Sequence, residues 1–272
     1  MITLGVDLAT VDTKTALCAI EWSVGALGRV VYHQVGATDD EVISAARASS
    51  VTAIDAPFGW PRDWAAAVAF HRPGRAFRAE GRSSILTSRV TDRWVEAYVR
   101  VRPLAVGANL IGATAIRCAR LVHAIGHAVD MGQRLEPPFT CEVYPAAALK
   151  GWGIEHRLYK GKANAAARVV LIDRLVSAGI PVETDSELRS WLEQSDDALD
   201  ALIASLVGRA VAGLWGRPKM CPKNTRPQPA PRDGYAFRAR AACSRVCREA
   251  SSTHELSRAD TRLTTWSEQI AA

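Results

Sequence analysis

Acidic residues with apolar neighbours recur along this sequence, and acids are the side chains that bind hard metal ions. Three of them close or follow short apolar runs: Asp7, Asp55 and Glu142. A second group opens a long apolar stretch: Asp196, Asp197 and Asp200. Because Asp197 and Asp200 are three residues apart, they share one face of the helix predicted there. A buried carboxylate without a partner is costly, so such acids require a metal, another cation or a hydrogen-bond donor.

Three or four carboxylates that converge at one sheet edge repel one another unless a cation neutralises them. A ligand set made only of oxygen atoms favours Mg²⁺ or Mn²⁺ over Zn²⁺. Two such ions close together can activate water and hold the leaving oxygen of a phosphodiester. A structural alternative stays open at this point. Acids at strand ends also serve as turn or cap residues, and acids in the first turn of a helix interact with its dipole.

Basic residues provide candidate contacts to a phosphate group. In "RVTDR", Arg89 and Asp92 form either an ion pair near the acids or a cap for the helix that follows. Lys160 either contacts a phosphate or is solvated. Residues 62–93 contain seven arginines against three acids, and several tryptophans lie nearby. This segment predicts a clamp on a nucleic-acid backbone, with Arg75, Arg78 and Arg82 as phosphate contacts, or else a solvated loop.

Hydrophobic patterns predict the elements that position these residues. Alternation and short apolar runs predict strands at residues 2–8, 14–21, 28–35, 51–57 and 139–145. Short turns join the first three, which we expect to form an antiparallel meander. Helices are predicted at residues 39–49, 162–178 and 195–215, with Thr38 and Ser195 as N-caps. Residues 61–135 are predicted to be a mostly helical insertion, interrupted by an Arg- and Gly-rich loop.

Composition is that of a soluble globular protein: 48% of the residues are hydrophobic and 23% are charged. The first residues lack the basic region of a signal peptide, and the most apolar window, residues 104–129, contains arginines and histidines. We therefore expect a cytoplasmic protein with no membrane association. The six cysteines are scattered singly, which is not typical of a disulfide framework.

The net charge of +6 belongs entirely to the C-terminal stretch. Residues 1–216 contain 23 basic and 23 acidic residues, whereas residues 217–272 contain 11 and 5. The overall charge is therefore no argument for nucleic-acid binding by the first 216 residues. After Gly216 the hydrophobic periodicity fades into a proline- and arginine-rich sequence. We predict one domain over residues 1–216 and a disordered basic tail over 217–272.

Five motifs resemble those of the domain of unknown function 429 family, in the family's order: "GVDLAT", "AIDAPFGWP", "SRVTDRW", "EVYPAAALKGWG" with "YKG", and "SDDALDALIASLVGRA". The resemblance implies a predicted nuclease of the α/β ribonuclease H-like fold, related to RuvC-type resolvases. That fold has a mixed five-stranded sheet, its first three strands antiparallel, flanked by helices. It also implies a two-metal centre with Mg²⁺ or Mn²⁺ and a nucleic-acid substrate. The catalytic and metal-binding residues carried over from the family are Asp7, Asp55, Glu142, Asp197 and Asp200.

Two other functions remain open on the sequence. "DLATVDTKTAL" resembles the Asp-Gly-Thr phosphate loop of actin-like phosphotransferases and ATPases. Against that function, the chain is short for two such domains and has no second glycine-rich phosphate loop. A catalytically inactive protein of the same fold, which binds nucleic acid through its Arg-rich insertion, is the third possibility.

Overall fold

The computed structural model describes residues 1–24, 27–75, 86–107, 111–132 and 135–213. Its strands are β1 (Ile2–Asp7), β2 (Ala16–Glu21), β3 (Arg29–Val35), β4 (Val51–Asp55), β5 (Ala128–Val129) and β6 (Phe139–Glu142). Its helices are α1 (Asp39–Arg47), α2 (Arg62–Phe70), α3 (Val90–Val99), α4 (Gly112–Ile125), α5 (Pro145–Gly151), α6 (Ala165–Ser177), α7 (Ser186–Gln194) and α8 (Asp196–Val211). The fold is therefore mixed α/β, as the sequence predicts.

The strands form one sheet in the order β3-β2-β1-β4-β6-β5. The pairs β1/β2 and β2/β3 are antiparallel, which confirms the predicted meander, and the pairs β1/β4, β4/β6 and β5/β6 are parallel. The expected number of five strands is wrong, because the described residues form six. The additional strand, β5, has only two residues and so gives no alternation pattern. Gly126, with a φ of 76°, ends α4 and allows the chain to turn into β5 where the sequence predicted continued helix.

Predicted caps determine where two of the helices begin. The side chain of Thr38 accepts a hydrogen bond from the backbone N–H of Glu41, whose carboxylate in turn accepts from the Thr38 N–H, a complete capping box. Ser195 accepts a hydrogen bond from the backbone N–H of Ala198 at 3.2 Å and so starts α8. Both N-cap predictions are confirmed. Because α8 begins directly after Ser195, its first turns contain the acids that the sequence singled out.

Helix α8 crosses one face of the sheet at close range. A Cβ atom on Gly5 would lie 2.0 Å from the carbonyl oxygen of Ala201, so only glycine lets the helix approach β1 this closely. The hydroxyls of Thr3 and Ser205 share a hydrogen bond of 2.7 Å across the same contact. These contacts fix the position of α8 along β1, and with it the position of Asp200.

Two apolar cores lie on opposite faces of the sheet. Phe139, Cys141 and Leu202 belong to the core that includes buried residues of α5, α6, α7 and α8. Leu4 and Ile54 belong to the other core, which α1 and α4 cover. The molecule thus has three layers, with the sheet in the middle. Within the described residues, no helix has both the length and the apolar character needed to cross a lipid bilayer.

Candidate metal centre

Three carboxylates converge at one end of the sheet: Asp7 ends β1, Asp55 ends β4, and Asp200 lies in the second turn of α8. One oxygen atom from each lies within 4.8 Å of the others. Asp7 and Asp55 are register partners on neighbouring parallel strands, which places them side by side. Strand alternation puts both on the same face as Gly5 and therefore towards α8. We call Asp7, Asp55 and Asp200 the acidic trio.

Asp200 is the most enclosed member of the acidic trio, with 1% of its surface exposed. The hydroxyl of Tyr159 donates a hydrogen bond of 2.6 Å to its Oδ1 atom, and Nζ of Lys160 lies 2.6 Å from its Oδ2 atom. Both oxygen atoms of this carboxylate therefore have a partner. Burial raises the pKa of Asp200, although the charge of Lys160 and the hydrogen bonds from Lys160 and Tyr159 oppose that rise.

The other two members of the trio, Asp7 and Asp55, are partly buried. No donor in the described part of the chain makes a hydrogen bond to the carboxylate of Asp7 or Asp55. Burial, together with the negative charges of Asp200 and Asp55, raises the pKa of Asp7 well above its ordinary value. Burial and the charge of Asp200 raise the pKa of Asp55 to about 8. The ionised trio is thus unfavourable by itself, and a divalent cation would remove the repulsion.

The donor set of the acidic trio fits a hard divalent cation. It consists of carboxylate oxygen atoms from three separate elements, the ligand type that Mg²⁺ and Mn²⁺ prefer. Asp7 and Asp55 have oxygen atoms free of hydrogen bonds to the described residues, so they are the first candidates to hold the ion. Metal binding by these residues remains a prediction. The geometry supports it because the three carboxylates lie close together and repel one another when ionised.

Glu142, the remaining strand-end acid, is not brought into the acidic trio. It is the register partner of Ile54, one residue before Asp55, and Ile54 faces the core under α1 and α4. Glu142 instead accepts hydrogen bonds from both terminal nitrogens of Arg89, at 2.7 and 2.8 Å, and from the backbone N–H of Phe58 at 3.0 Å. A shift of one residue in register therefore separates Glu142 from Asp7 and Asp55.

Arg89 performs both structural roles that the sequence left open. Its guanidinium bridges Glu142 and Asp92, with the shortest contact to each carboxylate at 2.7 Å. Its backbone N–H also donates to Asp92 at 2.8 Å, so the Arg89–Asp92 pair caps the start of α3. The side chain of Arg89 is only 13% exposed and already paired with two carboxylates. A contact between Arg89 and a substrate remains untested.

The acids in the first turn of α8 have separate partners. Asp197 pairs with Lys14 at 3.4 Å, and its charge still contributes to raising the pKa of Asp7, so it lies near the acidic trio. Asp196 accepts a hydrogen bond of 3.0 Å from the backbone N–H of Gly161. Of the predicted pair Asp197 and Asp200, only Asp200 joins the trio.

Tyr159 and Arg168 belong to the site but were missed from the sequence. The side chain of Arg168 is buried and donates to the carbonyl oxygens of Tyr159 at 2.9 Å and Gly161 at 2.8 Å. It also donates to the carbonyl of Glu193 at 2.8 Å, which ties the Tyr159–Gly161 segment to the end of α7. The motif "YKG" was the available signal for Tyr159. Arg168 gave none, because an arginine in an amphipathic helix normally lies on its solvated face.

The predicted phosphate contacts of the Arg-rich segment are only partly described. Arg75 is exposed, and its backbone N–H donates to the carbonyl of Arg72 at 3.1 Å in a turn after α2. Arg78 and Arg82 lie outside the described residues, as does the predicted tail, 217–272. Nucleic-acid contacts by these arginines stay a prediction.

Comparison with known proteins adds one match. A family model described as "Protein of unknown function (DUF429)" matches residues 5–226, which include the whole acidic trio, Lys160 and Arg168. No curated protein and no solved structure matches the chain.

Proposed function

The chain belongs to the DUF429 family, and we propose that it is a metal-dependent nuclease that hydrolyses phosphodiester bonds at the acidic trio. One observation supports this proposal above the others: Asp7, Asp55 and Asp200 bring carboxylate oxygens within 4.8 Å of one another from three different elements. The proposed cofactor is Mg²⁺ or Mn²⁺, and the proposed substrate is a nucleic acid.

The topology supports the finer fold assignment that belongs to this proposal, a ribonuclease H-like fold. Three antiparallel strands, β3-β2-β1, continue into the parallel strands β4 and β6, and α8 packs across the centre of the sheet. This arrangement positions acids from β1, β4 and α8 at one end of the sheet. The family motifs that contain Asp7, Asp55 and Asp200 lie on β1, β4 and α8, the three elements that meet there.

Residues of this chain have distinct parts in the proposed chemistry. Asp7 and Asp55 would hold the cation, and Tyr159 and Lys160 fix the orientation of the Asp200 carboxylate beside them. When bound, a divalent cation supplies Lewis-acid activation of water and of the phosphodiester. Arg117 anchors the loop that follows Asp7, because its guanidinium donates to the carbonyl of Ala9 at 2.9 Å. These contacts hold the trio in place before a substrate arrives, which is the preorganisation that catalysis needs.

A cleavage panel tests the proposal directly. Single-stranded, double-stranded and branched DNA and RNA are incubated with the full chain in Mg²⁺, Mn²⁺ or EDTA. Asp7→Asn keeps the shape of the side chain but removes its charge, and Asp173→Asn, on the exposed face of α6, is the matched control. We expect metal-dependent cleavage of at least one substrate by the wild type and the control, and none by Asp7→Asn.

The same panel distinguishes the other two functions. ATP binding and hydrolysis are measured in parallel, since an actin-like phosphotransferase would act on ATP and leave nucleic acids intact. A binding protein of the same fold would retain a nucleic acid in a gel-shift assay without cutting it in any metal. Either result would reject the nuclease proposal.

A further inference from the structure

The acidic trio already has a positive charge beside it, from Lys160. The Nζ atom lies 2.6 Å from the Oδ2 atom of Asp200, the distance of a strong charge-assisted contact. Its charge also acts on Asp7 and Asp55, because it opposes the rise in the pKa of each. Because oxygen atoms of the three carboxylates lie within 4.8 Å of one another, an ammonium in contact with Asp200 also lies near Asp7 and Asp55.

The backbone on both sides of Lys160 is held in place. Arg168 donates to the carbonyl oxygens of Tyr159 and Gly161, the residues directly before and after Lys160. The Gly161 N–H also donates to Asp196 at 3.0 Å, which attaches the segment to the start of α8. The lysine thus approaches Asp200 from a fixed backbone position.

Charge balance limits how many ions this site can take. The three carboxylates of the acidic trio have a total charge of −3 when ionised, and Lys160 reduces it to −2, which one divalent cation neutralises. Two neighbouring acids have basic partners of their own, because Asp197 pairs with Lys14, and Glu142 shares Arg89 with Asp92. A second divalent ion would also lack a free ligand, because both oxygen atoms of the Asp200 carboxylate already have protein partners.

We propose that the site binds a single divalent cation, at Asp7 and Asp55, and that the ammonium of Lys160 on Asp200 supplies the charge that a second ion supplies in a two-metal centre. This inference rests on the proposed metal-dependent function and replaces the two-metal centre that the sequence resemblance implies. Lys160 is then a built-in cation of the site, held by Asp200 even though much of its side chain is exposed.

Calorimetric titration of the full chain with Mn²⁺ tests the number of ions. We expect one Mn²⁺ per wild-type chain and two per chain for Lys160→Met, which loses the charge but keeps the length of the side chain. The Lys160 side chain is 59% exposed, so methionine there leaves no buried cavity. Lys162→Met, two residues further on and exposed, is the matched control and should bind one ion. Lys160→Arg keeps the charge and should also bind one.

Each alternative outcome has a separate meaning. Two Mn²⁺ ions on the wild type, or one ion of unchanged affinity on Lys160→Met, would overturn the single-ion inference and leave a metal-dependent nuclease possible. If the wild type binds no Mn²⁺, the proposed function fails together with the inference. Because the wild-type count alone can reject the inference, the test does not depend on Lys160→Met folding normally.

Discussion

Asp7 and Asp55 are register partners on the parallel strands β1 and β4, and no hydrogen-bond donor from the described residues reaches either carboxylate. Two ionised carboxylates in this position repel each other and lose hydration. The metal-free fold therefore tolerates an unfavourable arrangement at this edge of the sheet. Removing one of the two charges and adding a cation should both stabilise the protein, but the two treatments should not be additive.

For Asp7→Asn we expect the metal-free protein to gain about 1–2 kcal/mol in the free energy of unfolding, because repulsion and desolvation of the carboxylate disappear. The stabilisation of the wild type by Mn²⁺ should fall sharply in this variant, because a hard-cation ligand is lost. Thermal melts with Mn²⁺ and with EDTA measure both effects. Asp173→Asn should change neither, and an unaltered Mn²⁺ shift in Asp7→Asn would exclude Asp7 as a ligand.

The stability of the metal-free protein should depend on pH through Asp55. Its pKa rises from an ordinary 3.8 to about 8, mainly through burial and the charge of Asp200. Between these values the folded state binds more protons than the unfolded state, so stability falls as the pH rises from about 4 to about 8. Urea unfolding in EDTA across this range should show that decline. Asp55→Asn should make the decline shallower but not abolish it, because the pKa values of Asp7 and Asp200 are raised as well. A stability that instead increases with pH through this window would contradict the assignment.

The close contact between β1 and α8 should tolerate no side chain at Gly5. In Gly5→Ala the new Cβ would lie 2.0 Å from the Ala201 carbonyl oxygen, so the helix or the strand must move. We expect a loss of about 3 kcal/mol or more, as for severe overpacking of a core. Gly59→Ala is the control, because no heavy atom lies within 4 Å of a Cβ built there. Urea denaturation compares the two variants, and similar stabilities would show that α8 shifts freely on β1.

The sequence predicted most of the elements and named all three members of the trio as candidate ligands, because both depend on local patterns. Apolar runs that end in an acid identified Asp7 and Asp55, and Ser195 as N-cap predicted the start of α8, whose acids include Asp200. Glu142 has the same local pattern, yet its carboxylate lies with Arg89. The difference comes from register: Glu142 pairs with Ile54 and not with Asp55. Register between strands far apart in sequence is a tertiary property that no local pattern specifies.

Arg168, which was missed from the sequence, acts through backbone contacts. Arg168 donates to the carbonyl oxygens of Tyr159, Gly161 and Glu193, and any residue type supplies a carbonyl at those positions. No pairing of charges along the sequence could therefore reveal its partners. β5 was missed for a different reason, since two residues are too few for a periodic signal.

The ion pairs of Arg89 with Glu142 and Asp92 should contribute strongly to stability. Arg89→Met leaves Glu142 and the buried Asp92 without their shared cation, so we expect a loss of about 3–5 kcal/mol. Arg62→Met is the control, because Arg62 is 93% exposed and its contact with Asp63 is 3.7 Å, a geometry that contributes little. Urea unfolding at neutral pH measures both variants. Equal stability of Arg89→Met and Arg62→Met would mean that solvent, and not Arg89, compensates the two carboxylates.

Arg168 should act on the metal site only through the Tyr159–Gly161 segment. In Arg168→Met four buried or partly buried carbonyl contacts are lost, to Tyr159, Gly161, Glu193 and Gln194, and we expect a loss of about 2–4 kcal/mol in the free energy of unfolding. Because the Lys160 backbone is then less constrained, Mn²⁺ affinity should also change, by about 10-fold, as for other residues that orient a metal site from outside it. Arg174→Met, on the exposed side of the same helix, should alter neither quantity. Urea unfolding and Mn²⁺ calorimetry together separate the two effects. A large loss of stability with an unchanged Mn²⁺ affinity would show that Arg168 supports the fold but does not position Lys160.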